Sequence, residues 1–323
     1  MKRFINRRLF IAALALSIGP LAHAADWPHK PIRLIVPSSA GSPPDVIARV
    51  LADSLGRRWS AQIVVENKPG ASGIIGMNAI KAAPADDHVF ILAQAATVTV
   101  TPHVNASAHY DVDKDLVPAA LVGAGPLMVV AAPGSASASL GEFLQQAAAT
   151  GKTVNVAVTG NYSLPHLTAE LIKRRAKAKL NIVPFSSSGS ALTAVVNGDA
   201  DLLIDGIPGV ESMLKSDRIK PLAVTSLQRL VTYPDVAPLS DAFPGVEVEG
   251  WFVLFGKRPT SPAVVAKVNH DVNDAVQEKR LTDKLLELGV VTRPLSQDQV
   301  QDFVDGERKR WAASIAELGI KAQ

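Results

Sequence analysis

The sequence predicts an α/β protein of two domains, and three observations carry that expectation. Apolar runs of strand length alternate with runs of helical period, the pattern of sheets covered on both faces. The chain has 323 residues, more than a single hydrophobic core usually serves. A middle block of short strands, Met128–Ala132, Val154–Val158, Asn181–Val183 and Asp201–Asp205, can close into a sheet of its own. The chain would enter that block near residue 122 and leave it near residue 225, so two crossings would join the domains, as in a hinge over a cleft.

Met1 to Ala24 reads as a targeting segment. Lys2, Arg3, Arg7 and Arg8 form a basic start, Leu9 to Leu21 is mostly apolar, and Ala22-His23-Ala24 fits a small-x-small cleavage site. The apolar run falls short of the ~20 residues a membrane span needs. Asn6-Arg7-Arg8-Leu9-Phe10-Ile11 partly matches a twin-arginine signal, so the general secretory and twin-arginine routes both stay open. Either route takes the product out of the cytoplasm.

The whole chain carries 33 basic and 30 acidic residues. The segment holds four basic residues and no acidic one, so the remainder is 29 against 30, a net charge of −1. No basic face for nucleic acid is indicated. Cysteine is absent, which excludes disulfides, thiol catalysis and thiolate metal sites.

Past residue 25 the elements follow in order. Ile32–Val36 is a strand, and Asp45–Arg58 is a helix with Val46, Ile47, Val50, Leu51 and Leu55 on one side. Gln62–Glu66 is a strand ended by Asn67-Lys68-Pro69-Gly70, and a helix runs to about Ala82. His88–Gln94 and Leu116–Val122 are strands. Helices at Leu140–Ala149, Leu167–Ala176 and Ala191–Val196 separate the strands of the middle block. Leu222–Thr225 and Trp251–Phe255 are further strands, and Pro262–Glu278, Arg280–Leu288 and Gln297–Leu318 form a helical tail.

Two strand-to-helix turns look built for one task. Ile32–Val36 breaks at Pro37 and crosses Ser38-Ser39-Ala40-Gly41-Ser42-Pro43-Pro44-Asp45 into a helix. Asn181-Ile182-Val183-Pro184 crosses Phe185-Ser186-Ser187-Ser188-Gly189-Ser190 into another. Small-residue loops at helix starts leave N–H groups free at the positive end of a dipole, and two such loops face to face would hold a small carboxylate. Pro43 and Pro44 carry no N–H, so the first turn offers those of Ser39, Ala40, Gly41 and Ser42. Neither turn contains Arg or Lys. Asp45 can order its turn through backbone contacts or meet a ligand amino group directly.

Other chemistries find little support. The histidines are scattered without ligand spacing, and no nucleophile elbow surrounds any serine. Gly151-Lys152-Thr153 lacks the glycine a phosphate loop needs five residues earlier, where Gln146 stands. No catalytic residue, metal or organic cofactor is expected. His166 reads as a helix-start residue, packing or capping near the cleft. Trp251 and Phe252 read as core. Lys173-Arg174-Arg175 suits the end of its helix.

Several short pieces occur in one order along the chain. They are Trp27-Pro28-x-Lys30-Pro31-Ile32-Arg33, Val65-Glu66-Asn67-Lys68-Pro69-Gly70-Ala71-x-Gly73, Tyr110-Asp111-x-x-Lys114-Asp115-Leu116 and His166-Leu167-Thr168-Ala169-Glu170-Leu171. Val183-Pro184-Phe185, Gly198-Asp199-Ala200-Asp201, Leu222-Ala223-Val224-Thr225-Ser226, Tyr233-Pro234-Asp235-Val236 and Gly250-Trp251-Phe252 follow. In these pieces the chain resembles the Bug-type periplasmic solute-binding receptors of the tripartite tricarboxylate transporter family over almost its full length past the targeting segment.

The resemblance implies a type II periplasmic binding protein fold: two α/β domains joined by two crossover strands, with a ligand cleft between them. Residues 25–121 and 226–323 would form the first domain and 122–225 the second. It further implies a receptor that captures a small organic acid (a dicarboxylate, tricarboxylate, amino acid or aromatic acid) and delivers it, as a monomer, to two membrane transporter subunits. The implied site comprises Ser38, Ser39, Ala40, Gly41, Ser42 and Asp45 of the first turn and Phe185, Ser186, Ser187, Ser188 and Gly189 of the second. Thr97 in the cleft-lining piece Gln94-Ala95-Ala96-Thr97, Asn161 and Tyr162 in the cleft-lining loop Thr159-Gly160-Asn161-Tyr162-Ser163 before His166, His166 itself, and Asp205 complete it. Two departures stand out: Ser42 replaces the second of paired glycines, and Phe185-Ser186-Ser187-Ser188-Gly189 replaces a Tyr-Lys-Gly-like second turn. They imply a ligand unlike the commonest of the family. A ligand sensor for a signalling system, or an exported hydrolase or isomerase, are the alternatives.

Overall fold

The computed structural model describes residues 27–322, so the targeting segment Met1–Ala24 lies outside the described residues. Among the described residues nine strands follow one another: β1 (Ile32–Val36), β2 (Ile63–Asn67), β3 (Val89–Gln94), β4 (Leu116–Ala131), β5 (Thr153–Thr159), β6 (Lys179–Phe185), β7 (Leu202–Gly206), β8 (Lys220–Val224) and β9 (Glu249–Lys257). The longer helices among them are α1 (Pro43–Trp59), α2 (Ile74–Ala82), α3 (Ala95–Thr99), α4 (Leu140–Thr150), α5 (Leu164–Arg175), α6 (Ser188–Asn197), α7 (Ile207–Lys215), α8 (Pro262–Ala275), α9 (Lys279–Glu287) and α10 (Gln297–Leu318).

The strands run in the order β2-β1-β3-β9-β4-β7-β5-β6, with β8 also on β4. What looks in the sequence like two strands, Leu116–Val122 and Met128–Ala132, is one strand of 16 residues. Its first part pairs with β9 from Leu116 to Pro126, and its last part pairs with β7 and β8 from Leu127 onward. One strand therefore belongs to two lobes. Gly123, Gly125 and Pro126 suggest a break, yet the glycines serve a close approach: a Cβ on Gly125 would lie 2.1 Å from the carbonyl oxygen of Gly289. Ala124 and Val291 exchange backbone hydrogen bonds there, so a segment of the helical tail lies against the crossing strand.

Parallel pairing expected from the βα alternation holds for β1 with β2 and β3, and for β5 with β6 and β7. Where the chain returns between lobes it runs the other way, and β9 is antiparallel to both β3 and β4. The sheet is therefore mixed. Residues after β8 stay with the second lobe for longer than the strand pattern suggests. Val224 bridges Pro238, the Val248 N–H bonds to Thr225 O, and Val236 packs with Met128 and Val130.

The hydrophobic period of α1 is met as expected, with Ile47, Leu51 and Leu55 buried against Leu34, Val36 and Phe90. Each such side chain contributes roughly 1.5–3 kcal/mol by leaving water. Helix α7 has no counterpart in the sequence reading. Pro208 and Gly209 argue against a helix interior, but they occupy its first turn, where a missing N–H costs nothing. Among the described residues no helix is long and apolar enough to cross a membrane.

Candidate carboxylate-binding cleft

A cavity of about 350 Å³ lies where the two lobes meet at β4. Its walls are helix beginnings. Pro43 and Pro44 start α1, Ala95 and Ala96 start α3, Leu164 and Pro165 start α5, Ser188 starts α6, and Ile207 and Pro208 start α7, and all of them line it. Gly125, Pro126 and Leu127 of the crossing strand form part of the wall, with Gly250, Trp251 and Phe252 beside them and Leu288, Gly289 and Val290 from the tail. Among the described residues no Lys, Arg or His belongs to the lining, and Asp205 is its one charged side chain. Converging positive helix ends without a cation suit an anion held by neutral donors.

A cavity of about 480 Å³ beside Val117 and Arg258 also touches two helix starts, at Pro262 and Gln297. Those starts are satisfied from within. Ser261 N–H donates to Asp87, and Ser296 and Gln299 close a capping box. It does not lie between the lobes.

The first turn differs from its expectation. Asp45 is 2 % exposed, and its carboxylate accepts from Gly41 N–H at 2.8 Å, Asn67 Nδ2 at 2.9 Å and Arg49 Nε at 3.0 Å. Burial alone would raise its pKa; these three donors outweigh that and hold the carboxyl below its usual range. Ser42 N–H bonds to Ser39 O, and the Ser42 hydroxyl donates to Ser39 O and lies 3.1 Å from the Ser38 hydroxyl. The donors expected at Gly41 and Ser42 are therefore used inside the turn. Ser39 and Ala40 keep N–H groups with no acceptor among the described residues, but both are exposed and neither lines the cavity. What this turn gives the cavity is apolar: Pro43, Pro44 and Ile47.

The second turn is less closed. Ser187 is the N-cap of α6, its hydroxyl accepting from Ser190 N–H at 3.2 Å and its carbonyl from Ala191 N–H at 3.1 Å. The N–H groups of Ser188 and Gly189 have no acceptor among the described residues. Ser188 lines the cavity, whereas Ser186, Ser187 and Gly189 are exposed and Phe185 is half-buried, its carbonyl accepting from Gly160 N–H at 2.9 Å.

Thr159 and Ser163 line the cavity at the two ends of the loop before α5, while Asn161 is exposed. Tyr162 takes a positive φ of 55°, and its N–H donates to His166 Nδ1 at 2.7 Å. His166 is thus neutral on Nδ1 and fastens the loop from behind instead of entering the cavity. Burial lowers its pKa, with Glu170 opposing and Lys173 assisting. Gln94, Ala95 and Ala96 line the cavity, but Thr97 is buried behind them, its carbonyl accepting from the Tyr110 hydroxyl.

Asp205 is the last residue but one of β7 and reaches the cavity. It is 7 % exposed. Its Oδ1 accepts from Gly206 N–H at 2.8 Å and, weakly, from the Thr159 hydroxyl at 3.4 Å. Its Oδ2 is buried with no hydrogen-bond partner among the described residues. Burial raises the pKa of this carboxyl, against smaller opposing effects of Ser188, Gly206 and Thr159. Trp251 is both core and wall: it is 1 % exposed, and its Nε1 donates to Glu307 at 3.0 Å.

Of the residues and pieces read from the sequence as cleft-lining, Gln94, Ala95, Ala96, Thr159, Ser163, Ser188 and Asp205 line this cavity, while the walls given by Leu127, Gly250, Leu288–Val290 and the start of α7 are not read from it. Pro-Gly after a strand was the available signal for that start.

Comparison with known proteins agrees with the geometry. Residues 47–320 match the model of a family described as "Tripartite tricarboxylate transporter family receptor". Protein BugT of Bordetella pertussis is 31% identical over 315 residues, covering 97% of this chain and 96% of that protein. The R. palustris protein Rpa4515, solved with adipate, superposes with a TM-score of 0.84 at 26% identity, over 92% of this chain and 100% of that one. MatC from Rhodopseudomonas palustris, with bound malate, gives 0.78 at 28% identity over 90% of this chain and 100% of that one. The expected two-domain periplasmic binding protein fold is therefore the fold of this chain.

Proposed function

Because the chain belongs to the tripartite tricarboxylate transporter receptor family, a family of periplasmic solute receptors, we propose that it captures a small carboxylated metabolite between its lobes. Delivery would be to a membrane transporter of two subunits, with the receptor acting as a monomer and performing no chemistry on its ligand. One observation carries the reading: five helix beginnings meet at a cavity between the lobes whose lining, among the described residues, holds no cation. Adipate and malate in the two R. palustris proteins are carboxylates of a size such a cavity takes.

In this reading the anionic head rests on the second lobe, at the start of α6, where Ser188 and Gly189 keep free N–H groups. Ser38, Ser39, Ala40 and Asn161 would act at the rim on closure, and Asp45, His166, Tyr162 and Thr97 as supports behind the wall. The lobe boundaries we propose are residue 126, where β4 changes partners, and residue 248, just before β9. The second is later than the 225 read from the sequence, because residues 226–248 pack on the second lobe. Export by Met1–Ala24 completes the proposal.

Calorimetric titration of ligand-stripped protein with a panel of organic acids, followed by product analysis, tests it. Saturable binding of a carboxylate without turnover is expected. Conversion of excess ligand to product would instead establish the enzyme alternative.

A further inference from the structure

The indole of Trp251 lines the cavity and is 1 % exposed, yet its one donor is spent elsewhere. Nε1 donates at 3.0 Å to Oε2 of Glu307 on α10, a residue outside the cavity lining. That bond decides which edge of the ring faces the helix, and it leaves the cavity a carbon surface without an N–H. Packing does not make the choice. The χ2 torsion of an aromatic ring is only loosely set, and Phe303, edge to face with centroids 5.6 Å apart, offers neither donor nor acceptor.

Glu307 is itself held. Its side chain is 12 % exposed, and Arg310 Nη2 reaches both of its oxygens, at 2.8 Å and 2.9 Å. The other terminal nitrogen of Arg310 donates at 2.6 Å to the carbonyl of Glu247, one residue before the second crossing. Arg308, on the same turn of α10, pairs with Asp113 of the first lobe. One carboxylate therefore joins a cavity wall, a helix fastened to the first lobe, and the segment about which the lobes turn. Both of its bonds are charge-assisted, the strong kind.

Resting on the receptor reading above, we propose that Glu307 is a positioning residue for ligand binding. It sets the edge of Trp251 that the ligand meets and, through Arg310, ties that wall to the second crossing. It touches no ligand itself.

The test uses ligand-stripped protein and the tightest binder from a calorimetric panel of malate, succinate, adipate, citrate, benzoate and phenylalanine. Glu307→Leu leaves the indole N–H without an acceptor and should weaken binding at least tenfold. Glu307→Gln keeps an acceptor for the indole and should restore affinity to within threefold of wild type. Nuclear magnetic resonance of isotope-labelled protein adds a readout that a purely structural role does not move. The indole N–H peak of Trp251, identified by its loss in Trp251→Phe, should shift when the acid saturates the wild-type protein. A smaller loss in folded Glu307→Leu, a Glu307→Gln variant as weak as Glu307→Leu, or an unmoved Trp251 peak would each overturn the inference and leave the receptor reading intact. The wild-type peak decides the question even if Glu307→Leu fails to fold. Binding of no acid by the wild-type protein would remove the receptor reading and this inference together.

Discussion

The two strand-to-helix turns that resemble each other in sequence have opposite states in the structure. At the start of α1 an anion is already present, the carboxylate of Asp45, held by Gly41 N–H, Asn67 and Arg49. At the start of α6 a hydroxyl caps Ser190 and the N–H groups of Ser188 and Gly189 stay free. A helix end of the first kind has its Gly41 and Ser42 N–H groups held from within and gives the cavity an apolar wall. One of the second kind keeps its field for a guest. Small residues after a strand thus mark a place where an anion can sit, and the neighbouring side chains decide whose anion it is.

Asp45→Ala bears hardest on that contrast. It empties the first turn's internal site and takes one acceptor from the half-buried Asn67 amide, which still donates to Ser38 O, and one from the Arg49 guanidinium, which still reaches Asn67 Oδ1. A loss of about 2 kcal/mol in unfolding free energy is expected, discounted for the exposure of Arg49. Denaturant melts would show it. If Asp45 is structural, affinity for any bound acid should fall less than tenfold in protein still folded. A collapse of affinity with unchanged stability would make Asp45 a ligand contact and erase the distinction between the turns.

Ser188→Pro comes next. Ser187, the residue before it, has φ −155° and ψ 157°, extended values that a following proline accepts, and Ser188 is the first helical residue. The substitution removes one free N–H and one cavity hydroxyl with little strain. It should weaken carboxylate binding at least tenfold, about 1.4 kcal/mol, with the melting temperature nearly unchanged. Unaltered affinity would mean that the second turn, too, is merely a wall.

How much of this was legible in the residues varies with what sets it. The α/β order, most strands and the helix Gln297–Leu318 follow from period and punctuation. Long-range approach does not. Gly123 and Gly125 look like a strand end, and only the passage of Gly289–Val291 across β4 explains them. The site divides in the same way. Pro43 and Pro44 show at once that the first turn is poor in donors, whereas the capture of Gly41 N–H by Asp45 depends on a rotamer. Asp205 is visible as a strand-ending acid, but its unpaired oxygen depends on Gly206 and Thr159 taking the other one.

The smallest effect concerns how the second lobe holds its loop. His166 accepts the Tyr162 N–H on Nδ1, so the folded state wants the imidazole neutral, and burial lowers its pKa from 6.5. The unfolded chain then binds the proton more readily than the fold does. The stabilisation is complete above the ordinary value and is lost as pH falls through it toward the lower folded value. Melting temperature should therefore fall on going from about pH 7.5 to about 5.5, by less than Asp45→Ala costs. His166→Gln, which can still accept the N–H, should flatten that part of the pH dependence. Since the loop carries Thr159 and Ser163 to the cavity and Gly160 ties it to Phe185, ligand affinity should weaken over the same interval. A wild-type pH profile that the variant reproduces would detach His166 from the second turn, leaving α6 to act without support from α5.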